Sequence, residues 1–209
     1  MVIDTRILFS GLVGLVGVER LFELRLSARH TRQTLARGGV ELGRGHTRLM
    51  VITHGLFLLA CPAEVWLRNP PFLPLLAGGM TLLLIGTMAL RYWAVATLGE
   101  RWCTRVVCLP GAPAIHRGPY RWVRHPNYLA VLLEVPALPL IHSAWITALL
   151  FGAASGILVS VRIKVEESGL RAFSDYEQRF GSRPRFFPRL PGRAARRLPP
   201  PRSRDVPRP

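Results

Sequence analysis

Apolar residues along this chain fall into five blocks, at 5–24, 48–67, 72–98, 127–140 and 144–163. Most approach the length of about 20 residues that carries a helix across a bilayer. The second and third blocks are joined by Arg68-Asn69-Pro70-Pro71, and the fourth and fifth by Ile141-His142-Ser143. Connections this short predict antiparallel helical hairpins. Pro136 and Pro139 shorten the fourth block. The remaining connectors, 25–47 and 99–126, are polar, and Gly38-Gly39, Gly43-x-Gly45 and Pro110-Gly111-Ala112-Pro113 interrupt any helix there. The pattern predicts an all-α, polytopic integral-membrane helical bundle with about five transmembrane segments.

Small and polar residues inside the blocks add detail. Gly11, Gly14 and Gly17 repeat every three residues and predict close packing of the first helix on a neighbour. Glu19, Arg20, Glu23 and Arg25 read as the exit of that helix into the interface, and Arg91-Tyr92-Trp93 as a basic and aromatic belt where the third helix emerges. Ionisable residues within a span are functional candidates. Here they are His54, expected to hydrogen-bond within the bundle, Glu64, near the far interface, and Glu134. Glu134 lies roughly 10 Å below the start of the fourth helix. It predicts either a hydrogen bond to a neighbouring helix, for instance to His54, or a catalytic role as a base or as a contact to the polar head of a substrate. The connector 25–47 reads as a basic loop or as a cover over a site, with His46 at the next membrane entrance.

The 28 Lys and Arg against 12 Asp and Glu give a formal charge of +16. The excess lies in the connectors 25–47 and 99–126 and in the C-terminal stretch. In a soluble protein it would suggest nucleic acid; between apolar blocks it points to anionic membrane lipids, and no nucleic acid partner is expected. The positive-inside rule puts the N-terminus outside and the C-terminus in the cytoplasm. No cleavable signal peptide is expected. Cys61, Cys103 and Cys108 form no metal-ligand spacing, so no metal site is expected. Residues 189–209 are rich in Pro and Arg and predict a disordered basic tail. The folded domain is expected over 1–188, with N-terminal helices over 1–98 and a catalytic part over 99–188.

The stretch Arg117-Gly118-Pro119-Tyr120-Arg121-Trp122-Val123-Arg124-His125-Pro126-Asn127-Tyr128 separates two apolar blocks. Gly118-Pro119 predicts a turn. Pro126 predicts the first residue of a helix and an extended His125 before it. His125, Asn127 and Tyr128 then stand at a helix N-terminus, which favours an anionic group. Tyr120, Trp122 and Tyr128 offer π-faces for a purine or a cation, and Arg121 and Arg124 offer carboxylate-shaped donors. A ligand with a purine, a carboxylate and a positive centre would use all three kinds of group, and S-adenosyl-L-methionine is one. At the other end of the predicted hairpin, Arg162 and Glu166 are four residues apart and share a helix face.

Gly-Pro-Tyr-Arg-x-Val-Arg-His-Pro-x-Tyr, followed by a hydrophobic hairpin and Glu166-Glu167, resembles the isoprenylcysteine carboxyl methyltransferase family over roughly residues 112–180. The N-terminal half resembles a bacterial branch associated with polyketide synthases that make alkylresorcinols or alkylpyrones. The resemblance implies an S-adenosyl-L-methionine-dependent methyltransferase of a bacterial inner membrane. It implies cofactor contacts at Ile115, Tyr120, Arg124, His125, Pro126, Asn127, Tyr128 and Glu166, and a catalytic Arg162 beside the methyl-accepting group. The family's Leu-Val pair reads Ala114-Ile115 here. The implied acceptor is a lipophilic small molecule, first of all a phenolic or pyrone lipid that is O-methylated at the membrane–cytoplasm boundary. A prenylated cysteine carboxylate, a phospholipid amine, or a non-catalytic protein of the same fold are the other readings.

Overall fold

The computed structural model describes residues 4–187; the tail over 189–209 lies outside the described residues. Five long helices carry the fold: α1 (Thr5–Ala36), α2 (Arg44–Arg68), α3 (Pro74–Leu98), α4 (Pro126–Leu140) and α5 (Trp145–Phe173), with a short α6 (Tyr176–Phe180) after them. At roughly 1.5 Å per residue, the 25 residues of α2 span about 37 Å, more than the roughly 30 Å hydrocarbon core. Among the described residues, three helices are long and apolar enough to cross a membrane, α2, α3 and α5. The 15-residue α4 carries both Pro136 and Pro139 and ends at Leu140, as the prolines predict.

Leu15, Leu59, Leu67, Leu75, Leu82 and Leu149 are each more than two-thirds exposed on the outer faces of α1, α2, α3 and α5. A water-soluble protein would bury such a surface. These side chains face lipid, and the fold is that of a polytopic membrane protein. A core of Phe9, Val13, Phe57, Val65, Leu84, Val135 and Leu138 joins α1 to α4. The turns at 69–73 and 141–144 lie at one end of the bundle. There Glu64 of α2 accepts from the backbone N–H groups of Ile146 and Thr147, at 3.1 and 2.7 Å, and so caps α5.

The helices run further than the apolar blocks. α1 continues twelve residues past Leu24 to Ala36, because nothing stops it before Gly38-Gly39, which ends the expected connector's helical part. α5 continues past Ile163 to Phe173 for the same reason. Residues Val40–Leu42 and Val106–Cys108, both expected in irregular connectors, pair as a two-stranded antiparallel ribbon, a small departure from an all-α chain. The ribbon lies on α5 at Gly169, where an added Cβ would sit 2.3 Å from Leu42 Cδ1 and 2.9 Å from Cys108 Sγ. Close packing at the α1 glycines is not observed for Gly11 and Gly14, which have nothing within 4 Å of an added Cβ; Gly17 touches Leu58.

Extension of α1 also changes the meaning of its charges. Arg20 and Glu23 are 7% and 6% exposed, in mid-helix rather than at an interface. Arg20 donates to Glu23 at 2.5 Å and to Glu134 of α4 at 2.7 Å. Arg91 of α3 grips Glu23 through Nε and Nη2, at 2.7 and 2.5 Å. Arg91 is therefore buried in this network rather than part of an exposed belt, where Tyr92 and Trp93 do stand.

Candidate active site

The motif folds as its residues predict. Gly118–Arg121 is one turn of 3-10 helix, begun by Gly118 at φ +55°. An added Cβ at Gly118 would lie 2.3 Å from Thr97 Oγ1, so both the backbone angle and the space demand glycine. Pro126 opens α4, and His125 before it is non-helical at φ −129°, ψ 59°.

The α4–α5 hairpin brings the two halves of the motif together. Arg162 Nε donates to the Tyr128 hydroxyl at 2.7 Å, and that hydroxyl donates to Glu166. Arg162 and Glu166 share a face of α5, and each reaches the same phenol oxygen. Arg162 also lies over the Tyr128 ring. His125 Nε2 is 3.1 Å from Oε1 of Glu167, one residue beyond Glu166 and on another face.

Glu167 is 1% exposed and is a hub. Arg185 donates to both of its oxygens, at 3.0 and 2.7 Å. The strap 181–187 is thereby drawn over the motif, and the backbone N–H groups of Arg124 and His125 donate to the carbonyls of Pro184 and Arg185. Arg124 donates to the carbonyl of Arg183.

These groups border a cavity of about 440 Å³, within the range of small-molecule sites. At its motif end stand Ile115, Tyr120, Arg124, His125, Asn127, Tyr128, Arg162 and Glu166. Pro126 is fully buried behind them and does not border the cavity. Trp122 is half-exposed, edge-on to Trp93 and stacked by Arg121, so neither Trp122 nor Arg121 reaches it. The other end runs into the bundle between Gly17, Arg20, Leu21 and Glu23 of α1, Met50, Val51, His54 and Leu58 of α2, and Arg91 of α3. Glu134 is not among its walls, because Arg20 stands in front of it.

Among the described residues, four that line the cavity carry a buried polar atom with no hydrogen-bond partner: Arg20 Nε, Thr47 Oγ1, His54 Nε2 and Asn127 Oδ1. A buried polar atom left unpaired costs about 1–3 kcal/mol, a cost that a bound ligand offsets. The site therefore fits a ligand that is polar, aromatic and partly charged. It would hold S-adenosyl-L-methionine through the Tyr120 and Tyr128 faces, Asn127, and the carboxylate of Glu166.

Some contributors had weak sequence signals. Asp175 accepts the Ala114 N–H at 2.6 Å and so fixes the backbone next to Ile115. That bond, with the one from Arg179, holds the Asp175 carboxyl below its usual range. Burial pushes the hydroxyl of Tyr120 well up, so this ring serves as a neutral aromatic wall. Burial also pushes the Cys108 thiol up to about 11, which makes it an inert part of the ribbon rather than a nucleophile. Among the described residues no cluster of His, Cys, Asp and Glu could hold a metal ion.

The family model described as "Isoprenylcysteine carboxyl methyltransferase (ICMT) family" matches residues 80–172. A protein of Bacillus subtilis, uncharacterized protein YpbQ, is 33% identical over 169 residues, which cover 80% of this chain and 99% of that protein. An uncharacterized protein of Haemophilus influenzae is 30% identical over 72% of this chain and 88% of its own length. Among solved structures, the eukaryotic intramembrane Ras methyltransferase ICMT superposes with a TM-score of 0.51 at 23% identity. That match covers 65% of this chain and 51% of the other, so it speaks to the fold, and this chain spans about half of that enzyme. With motif, hairpin and relatives in agreement, the chain belongs to the isoprenylcysteine carboxyl methyltransferase family.

Proposed function

We propose that the protein is an S-adenosyl-L-methionine-dependent methyltransferase acting on a lipophilic acceptor at the membrane–cytoplasm boundary. The observation that carries this reading is the single cavity with two unlike ends. One end is polar and aromatic, at Tyr120, Asn127, Tyr128, Arg162 and Glu166; the other runs among membrane-embedded helices. Leu21 and Val51 border that second end and are also exposed, at 57% and 42%, on the lipid-facing surface. An acceptor dissolved in the bilayer can reach the cavity there.

S-adenosyl-L-methionine supplies, when bound, an electrophilic methyl carbon on a sulfonium. The chain's own residues bind and align the partners. Tyr120 and Tyr128 present flat faces to the purine. Glu166, which accepts from Tyr128, and Asn127, whose Oδ1 has no partner among the described residues, would hold the polar groups of the cofactor. Arg162 directs its guanidinium at the acceptor oxygen and steadies negative charge on it. Alignment of donor and acceptor lowers the barrier by about 7–11 kcal/mol in favourable cases. Apolar walls at Met50, Val51 and Val131 exclude water.

The preferred acceptor is a phenolic or pyrone lipid, supported by the resemblance of the N-terminal half. The cytoplasm holds the motif end, by the arginine excess of its connectors. The test is purified protein in nanodiscs with labelled S-adenosyl-L-methionine and a panel of an alkylresorcinol, an alkylpyrone, a prenylated cysteine and phosphatidylethanolamine. Label is expected in the first two. Transfer to the prenylated cysteine alone would replace the acceptor class; failure to bind the cofactor would overturn the enzyme.

A further inference from the structure

Glu134 is the sequence's candidate for a base, but it does not border the cavity. Its Oε1 takes a hydrogen bond from Arg20 at 2.7 Å, and the Arg20 side chain separates it from the cavity. His54 has no such tie. It borders the cavity, its ring leans on Phe57, and its Nε2 has no hydrogen-bond partner among the described residues. The bundle hydrogen bond expected of it is absent at that nitrogen. An unbonded ring nitrogen in a membrane interior is costly to keep.

Its position bears on the chemistry. Met50 is one turn earlier on α2, and its sulfur lies 3.7 Å from Arg162 Nη1. His54 is thus roughly 6 Å further along α2 than the residue that touches Arg162. Val131, one turn after Tyr128 on α4, borders the cavity and also lines a small void shared with His54. The charged groups around His54 are Arg20 and Glu23 on α1, Arg91 on α3 and Glu134 on α4, with Arg162 and Glu166 of α5 toward the motif. Those on α1, α3 and α4 are tied to one another, and Glu134, whose Oε2 has no hydrogen-bond partner, does not border the cavity, so among the described residues His54 is the proton acceptor on the cavity wall on the bilayer side of Arg162.

We infer that His54 is the general base that removes the proton of a hydroxyl acceptor. This rests on the methyltransferase reading and narrows its substrate to acceptors that must lose a proton, phenols or enols rather than carboxylates. As the acceptor oxygen bonds to the methyl carbon, the bond from that carbon to sulfur breaks and its electron pair stays on sulfur. The hydroxyl proton passes to the unprotonated ring nitrogen of His54, and from the imidazolium to water once the product has left.

The experiment compares wild type and His54→Gln in nanodiscs with two acceptors of equal chain length. One is a 4-alkylphenol, whose hydroxyl ionises near pH 10 like that of tyrosine; the other is an alkyl dinitrophenol, ionised at neutral pH. S-adenosyl-L-methionine affinity, by calorimetry, is expected to be equal in both proteins and reports intact folding. Turnover on the 4-alkylphenol falls about 100-fold in the variant, the size of a lost general base, while turnover on the dinitrophenol is unchanged. Without cofactor, a bound alkyl mononitrophenol ionises at lower pH in wild type than in His54→Gln, read by absorbance. Equal losses on both acceptors, no loss on either, or identical ionisation curves would overturn the role of His54. Wild type that binds the cofactor but methylates neither phenol removes this role and leaves the methyltransferase reading standing; wild type without cofactor affinity removes both.

Discussion

The two ends of the cavity are built in opposite ways. The motif end draws most of its side chains from one stretch, residues 115–128, and adds Arg162 and Glu166 from the partner helix of one hairpin. The membrane end draws Arg20, His54 and Arg91 from three helices, and Arg20 and Arg91 are held by carboxylates from α1 and α4. The first arrangement survives as long as a local turn and a hairpin form. The second exists only when the whole bundle closes, so its polar residues serve assembly as well as ligand binding.

The largest expected effect falls on the second arrangement. Glu23→Ala removes the carboxylate that, among the described residues, Arg91 grips. Breaking a buried ion pair from one side costs about 3–5 kcal/mol, so the variant is expected to melt far below wild type in detergent. A Glu23→Ala, Arg91→Leu double variant removes both charges and should recover part of that loss. Equal melting of Glu23→Ala and wild type would mean that the network does not hold α1 to α3 and α4.

Next in size is a contrast between neighbours. Glu166 borders the cavity, while Glu167 is buried and ties His125 to the strap 181–187 through Arg185. Glu166→Gln is expected to weaken S-adenosyl-L-methionine binding by about tenfold or more, the scale of one hydrogen bond to a charged group, with little change in melting. Glu167→Gln is expected to lower the melting temperature first and affinity only through the loosened strap. Calorimetry and thermal melting of both variants decide it; the reverse assignment would make Glu167 the ligand.

A smaller loss is expected from Gly169→Val. Its side chain would push Leu42 and Cys108 off α5 and open the ribbon beside the cavity. Cofactor affinity should fall by a few-fold, and Cys108 should become reactive to a thiol reagent at pH 8. An unreactive Cys108 would show that the ribbon adapts.

The smallest effect is a pH dependence at the motif end. The pKa of Asp175 is lowered in the fold from 3.8, chiefly by the Ala114 N–H and by Arg179. A lowered carboxylate pKa gives stability that is fully present above the unfolded value and is lost as pH falls through the folded one. Wild type should therefore exceed Asp175→Asn in thermal stability at pH 7, and the gap should close in acid below 3.8. A gap that persists there would assign the effect to side-chain shape.

These expectations follow how much of the molecule was legible in its residues. The five helices and the His125–Pro126 junction were, because hydrophobic periodicity and proline chemistry act locally. Helix ends were less so: α1 and α5 overran their apolar blocks, since charged residues such as Arg29, Lys164 and Glu167 suit a helix as well as an interface. The partners of Arg20, Glu23, Arg91 and Glu134 were not legible, because they depend on which helix faces meet. Trp122 and Trp93 pair outside the cavity for the same reason.

The central claim is that the motif end binds S-adenosyl-L-methionine. Titration calorimetry of the purified, detergent-solubilised chain with the cofactor tests it most directly. Saturable binding at one site is expected, weakened in Asn127→Ala and Glu166→Gln and retained in His54→Gln. Heat changes no larger than those of dilution in the folded wild type, or affinity equal in wild type and the motif variants, would contradict it.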